Sequence, residues 1–174
     1  WLRGWSTVIL YETDFVTRHA VEDEDGLMHE GDSALTGEAW DHGPVVLSWE
    51  DIAQGSPVVF HEIAHTLDML NGDSNGFPPL HADMCRRDWA RTFSDYYARL
   101  CSRLDLGSDA GDGVVDPYAG ESPAECFAVL SETFFADPVG LQRVAGPVYR
   151  QLQQFYRQDP AALVPRAIDG LAGA

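Results

Sequence analysis

The segment His-Glu-Ile-Ala-His, residues 61–65, puts two imidazoles and a carboxylate within five positions. On an α-helix, residues four apart share a face, about 40° apart around the axis. His61 and His65 can therefore aim two ring nitrogens at one metal ion. Glu62, about 100° round from His61, lies beside such an ion, where a general base can take a proton from a metal-activated water. That chemistry is hydrolysis. Two plainer readings share the spacing: a packed helix with no metal, and a structural metal. The surrounding residues are strongly apolar, namely Val58, Val59, Phe60, Ile63, Ala64, Leu67 and Leu70. Polar groups buried in such a helix need partners, because each unsatisfied one costs about 1–3 kcal/mol. A structural zinc is usually closed by four Cys or His ligands, and no Cys lies near the motif.

A catalytic zinc keeps three protein ligands and an open position, so a third ligand is required. The longer motif with a Gly three residues on and a third His six residues on is absent; Asp68 and Asn71 stand there. Asp68 shares the face of His61 and His65 but is short and on the same helix, which suits an acceptor for an imidazole N–H better than a ligand. His81 is a possible ligand further on. The remaining candidates lie in "SPAECFAVLSE", residues 122–132, where Glu125 and Glu132 are seven apart and share one stripe of a helix. Ala128 and Val129 lie between them, and Phe127, Leu130 and Phe134 occupy the opposite face. Ala128 would let this helix approach the His-bearing one closely. Ser122, Pro123 and Glu125 also spell a capping box with Pro at the first helical position. Glu125 can thus be a cap or a ligand, and position alone does not choose between Glu125 and Glu132.

The elements that must hold these residues follow from patterning. "WSTVILYE" (5–12) and "GPVVLSW" (43–49) read as strands, and "FVTRHAV" (15–21) as a weaker one. "EDEDG" (22–26) and "EGDS" (30–33) read as turns. Ser48 with Asp51 can cap a short helix that ends at Gly55-Ser56-Pro57. Helices are expected over about 57–70, 81–104, 123–136 and 147–157, the second with Trp89, Phe93, Tyr96, Leu100 and Leu104 near one face. "NGDSNG" (71–76) resembles the start of a calcium loop, but its twelfth position is Ala82 where a bidentate Glu is required; it reads as a turn. The tail beyond Asp159-Pro160 is expected to fray. Strands first and helices after predict an α+β fold, a small sheet with helices packed on one face, in one domain spanning residues 1–174.

Composition narrows the function classes. The formal net charge is −17, with every basic residue an Arg, so direct nucleic-acid binding is not expected. No apolar run reaches the roughly 20 residues of a membrane span. Cys85, Cys101 and Cys126 show no CxxC spacing; they read as buried or half-buried thiols in a reducing, cytoplasmic compartment. The chain opens on Trp1 with no signal-peptide pattern, which reads as a fragment or processed form.

"HEIAHTLDMLNGDSNGFPPL" followed by "DPYAGESPAECFAVLSETFF" resembles the Mlc titration factor A family of bacterial zinc peptidases. "GEAWDHGPVVLSW" (37–49) and "QFYRQDP" (154–160) are similar to further segments of that family. The resemblance implies a small mixed sheet with helices on one face, a gluzincin-type metallopeptidase domain similar to the catalytic domain of anthrax lethal factor. It implies Zn2+ held by His61, His65 and Glu125, with Glu62 as the base and Tyr118 as the hydroxyl that steadies the oxyanion. It leaves Glu132 a supporting or structural role. Peptides or proteins are the implied substrates, and the implied cleavage is that of an aminopeptidase. The alternative is a binding module that sequesters a transcriptional repressor, with zinc mainly structural or regulatory. The family's additional N-terminal helical part has no counterpart in these residues. The "GPVVLSW" strand is also a candidate edge to which an extended peptide could add.

Overall fold

The structure is a computed structural model and describes residues 7–13, 15–22, 28–35, 37–39, 43–107 and 113–165. The chain begins with strands β1 (Val8–Tyr11), β2 (Phe15–Glu22), β3 (Met28–Leu35), β4 (Gly37–Ala39) and β5 (Val45–Ser48). β2 and β3 form an antiparallel pair, with Arg18 opposite Asp32 and His19 opposite Gly31. Residues 30–33, expected as a turn, are therefore in mid-strand: the pairing of two eight-residue strands overrides the local turn preference of Glu-Gly-Asp-Ser. The acidic stretch 22–26 lies almost wholly outside the described residues.

The second sheet runs β1-β5-β4, parallel between β1 and β5 and antiparallel between β5 and β4. All four residues of β5 are buried. β5 is thus the central strand, and the expectation that it offers an edge for peptide addition is corrected: both of its hydrogen-bonding sides are already taken. The chain leaves β5 directly into α1 (Trp49–Ala53), capped by the Ser48 hydroxyl accepting from the Asp51 N–H at 3.3 Å. Gly55, at φ 88°, makes the turn into α2 (Val58–Asp68). Val45, Leu47 and Val58 form a small core, with Ile52 and Val59 packed on it, so α2 is fixed on the sheet from below.

The larger core is helical. α3 (Arg86–Asp105), α4 (Pro123–Ala136), α5 (Pro138–Val144), α6 (Gly146–Tyr156) and α7 (Pro160–Leu163) complete the described chain. The α3 face is the one its periodicity predicts: Trp89, Phe93, Tyr96 and Leu100 are buried. Trp89 stacks on Phe93 at 4.3 Å between ring centroids and meets Phe127 of α4 at 5.8 Å and Phe155 of α6 at 5.3 Å. This aromatic cluster anchors α4, whose Cys126 through Ser131 are all buried. Ala64 of α2 and Ala128 of α4 are both fully buried in the same core, and α2 against α4 is the most extensive helix pairing among the described residues. Small residues at both positions allow that approach. The cysteines are free, but Cys85 is exposed rather than buried, at the position just before α3, where its side chain makes no capping bond.

Candidate metal centre

α2 and α4 carry the polar groups that their apolar surroundings must accommodate. His61 and His65 lie one turn apart on α2, with side chains mostly buried. Glu125 lies in the first turn of α4. Its backbone N–H is donated to the Ser122 hydroxyl at 3.1 Å, while its carboxylate turns toward the two imidazoles. Glu125 Oε2 is 3.1 Å from His61 Nε2 and 3.3 Å from His65 Nε2, and the two Nε2 atoms are 3.1 Å apart. The cap and the carboxylate therefore do separate jobs: Ser122 holds the helix end, and Glu125 faces α2.

These three atoms form a nearly equilateral triangle. Ligand atoms about 2.0–2.1 Å from a tetrahedral zinc stand about 3.3 Å from one another, close to the spacing found. Glu125 Oε2 is buried without a hydrogen bond of good geometry. The three atoms converge on a common point more than they pair with each other, and the set is one nitrogen, one nitrogen and one anionic oxygen. A buried cluster of this kind suits a cation, and among the described residues it is the group able to hold a metal ion. Two imidazoles and a carboxylate match the donors of catalytic zinc sites.

The electrostatics agree. Burial depresses the His61 imidazole, but the adjacent carboxylates of Glu125 and Glu132, with the charge of Glu62, outweigh it and raise the group to about 9. Burial lifts Glu125, yet His61 and His65 together pull it down to about 2. Glu62 is 6% exposed and near enough for its charge to act on both His61 and Tyr118.

Tyr118 reaches the cluster from a 3-10 turn, Pro117–Gly120, whose start is fixed by the Asp116 carboxylate accepting from the Tyr118 N–H at 2.8 Å. The turn is docked on α3: Tyr97 donates its hydroxyl to the Gly120 carbonyl at 3.1 Å, and a Cβ on Gly120 would strike Leu104 at 2.4 Å. The Tyr118 ring lies 6.3 Å from that of His61 and is half exposed. Partial burial and the carboxylates of Glu125, Glu121 and Glu62 hold its hydroxyl above the ordinary tyrosine range, so it stays a proton donor at neutral pH.

Two sequence expectations are redirected. Asp68 is fully buried, but its Oδ2 accepts from the Ser74 hydroxyl at 3.0 Å and from the N–H groups of Asn75 and Gly76 at 2.7 and 2.6 Å. It ties down the loop after α2, and these bonds replace the imidazole contact expected of it. His81 is outside the cluster; its Nε2 lies 2.9 Å from the Phe155 carbonyl. Glu132, expected in a supporting or structural role, has its Oε2 3.4 Å from His61 Nδ1. Its seven-residue spacing from Glu125 was the signal that both belong to one stripe.

The surrounding fold, a small mixed sheet and a helical body with this triad between α2 and α4, is the α+β arrangement of a gluzincin-like metallopeptidase. Among the described residues no helix is long and apolar enough to cross a membrane. Residues 1–157 match the family described as glucose-regulated metallo-peptidase M90. The chain is 42% identical to "Mlc titration factor A" of Yersinia enterocolitica, over 95% of this chain and 64% of that protein. It is 39% identical to proteins of the same name from Yersinia pestis and Yersinia pseudotuberculosis, over 99% of this chain and 65% of theirs. The chain thus spans about two thirds, and slightly less, of the length of these relatives.

Proposed function

Because the chain belongs to the glucose-regulated metallo-peptidase M90 family, we propose that it is a zinc-dependent peptidase built on His61, His65 and Glu125. The convergence of those three side chains on one point is the observation that carries this reading. When bound, zinc supplies a Lewis acid that brings the pKa of a water to near 7 and polarises a carbonyl. His61 and His65 would hold the ion through Nε2, and the Glu125 carboxylate would hold it from α4 and offset one of its charges. Glu62, the buried neighbour of His61, takes the proton of the attacking water and hands it to the departing amine. Tyr118 donates its hydroxyl to the substrate oxygen as negative charge develops there. Cleavage at a free N-terminus, as in an aminopeptidase, is the finer form of this proposal, with residues 1–174 as one catalytic domain acting in the cytoplasm. The free cysteines fit such a compartment.

The test is Glu62→Gln. It keeps size and leaves the three metal-facing atoms in place. The expected outcome is stoichiometric zinc by elemental analysis with peptide hydrolysis reduced to background. Full activity in this variant would remove Glu62 as the base.

A second reading has its own support. The relatives carry the name "Mlc titration factor A", which points to capture of a protein partner more directly than to any particular peptide cleavage. In that reading the domain binds a transcriptional repressor, and zinc holds the α2–α4 surface in shape. A pull-down with that repressor beside turnover of alanyl chromogenic substrates separates the two. Binding that survives Glu62→Gln, with no turnover by the unaltered protein, favours capture.

A further inference from the structure

Resting on the reading of His61 as a metal-facing residue, the geometry points to Glu132 as the positioning residue that sets the tautomer and aim of the His61 ring. One helix, α4, touches this imidazole at both nitrogens. Glu125 Oε2 lies 3.1 Å from Nε2, and Glu132 Oε2 lies 3.4 Å from Nδ1. The two carboxylates are seven residues apart, two turns or about 10.5 Å along the axis, so the ring spans the gap between them.

A neutral imidazole has one N–H and one lone pair. With the proton on Nδ1, it is donated to Glu132, and the Nε2 lone pair faces the point shared with His65 and Glu125. The other tautomer turns the Nδ1 lone pair against the Glu132 carboxylate, acceptor against acceptor, and covers with a proton the nitrogen that faces the cluster. The Glu132 carboxylate therefore selects the tautomer able to bind a cation through Nε2. Glu132 cannot bind that same cation itself, since it lies on the far side of the ring and outside the converging triad. Its polar neighbours serve their own helix: Ser131 donates to the Phe127 carbonyl at 2.7 Å and Thr133 to the Val129 carbonyl at 2.8 Å. A carboxylate bonded to the non-coordinating nitrogen of a metal-binding His typically changes metal affinity 10–100-fold on removal.

The experiment compares wild type, Glu132→Ala and Glu132→Gln in two measurements: zinc affinity by competition with a chromophoric chelator, and the His61 ring by long-range 1H–15N NMR. Glu132→Ala is expected to bind zinc about 10–100-fold more weakly. Glu132→Gln, nearly isosteric and still carrying an acceptor oxygen, is expected to lie nearer wild type. In the metal-free protein above about pH 10, where the His61 ring has lost its second proton, the NMR spectrum of the wild type should show the remaining proton on Nδ1, and that of Glu132→Ala should show it redistributed toward Nε2. Zinc affinity in Glu132→Ala within about twofold of wild type, or an unchanged His61 tautomer in both variants, would overturn the inference. If the wild type takes up no zinc, it is the metal reading that fails. The metal-free His61 tautomer then still decides the role of Glu132.

Discussion

At the scale of single residues, Tyr118 is the side chain whose proposed part depends least on the metal contacts. It sits beside His61 on a turn held by Asp116 and Tyr97 and packed on Leu104, and burial together with the nearby carboxylates holds its hydroxyl above the ordinary tyrosine range. Tyr118→Phe deletes one donor and nothing that faces the metal. Loss of one oxyanion donor typically costs about 10²–10³-fold in kcat. The expected result is a fall of about 10²-fold in kcat at unchanged zinc content; a kcat equal to wild type would leave Tyr118 a surface aromatic. The pair His61 and His65 was legible in the sequence because a helical period fixes i and i+4 on one face whatever the fold. Spacing did not single out Glu125, since Ser122, Pro123 and Glu125 spell a cap and Glu132 shares its stripe; the family resemblance is what pointed to it. The structure separates the functions by atom: the Ser122 hydroxyl receives the Glu125 N–H, and the Glu125 carboxylate is left for α2.

At the scale of elements, legibility followed how local each signal is. The α2, α3, α4 and α6 periods were readable, as were Ser48 and Ser122 at the caps. α5 was missed because Asp137-Pro138 reads as a stop, yet here it also starts a helix: the Asp137 carboxylate accepts from the Gly140 N–H at 2.9 Å, with Pro138 in the first turn. The jobs of Asp68, His81 and β5 depend on contacts from distant segments, which no local pattern encodes. Asp68 shows the consequence most clearly. It draws Gly76 under the start of α4, where Gly76 has φ 76° and an added Cβ would stand 2.4 Å from the Pro123 carbonyl oxygen. The Gly76 carbonyl also accepts from the Trp89 indole at 3.2 Å. One residue thus links the end of α2, the core of α3 and the start of the helix that carries Glu125. Gly107 has a similar φ of 66° with open space around it. Gly107→Ala should therefore cost about 1 kcal/mol from backbone conformation alone. Gly76→Ala meets backbone as well and should exceed about 3 kcal/mol, within the range of strained, overpacked sites. Chemical denaturation of both variants checks this, and equal losses would mean that the Pro123 contact relaxes without cost.

At the scale of the whole molecule, the candidate metal centre joins two helices that are each fixed by other means. α2 is seated on β5 through Val58, and α4 is embedded in the Trp89, Phe127 and Phe155 cluster. The fold therefore has cores of its own, and metal should add to stability without being required for folding, unlike in small zinc domains. The triad exists only when α2 and α4 are docked, because His65 and Glu125 are far apart in the chain. Zinc that binds the folded form alone stabilises it by mass action, about 2.7 kcal/mol at a hundredfold excess over Kd. In a domain of this size that raises Tm by about 5–11 °C. Excess chelator should lower the wild-type Tm by that amount while the protein remains folded at 25 °C. The His61→Ala and Glu125→Ala variants should show little difference between zinc and chelator. Calorimetry on the three proteins, with and without chelator, checks the whole set. A chelator-insensitive wild type would mean that the triad holds no metal under those conditions, whereas chelator-induced unfolding at 25 °C would mean that the two cores do not suffice to dock α2 on α4.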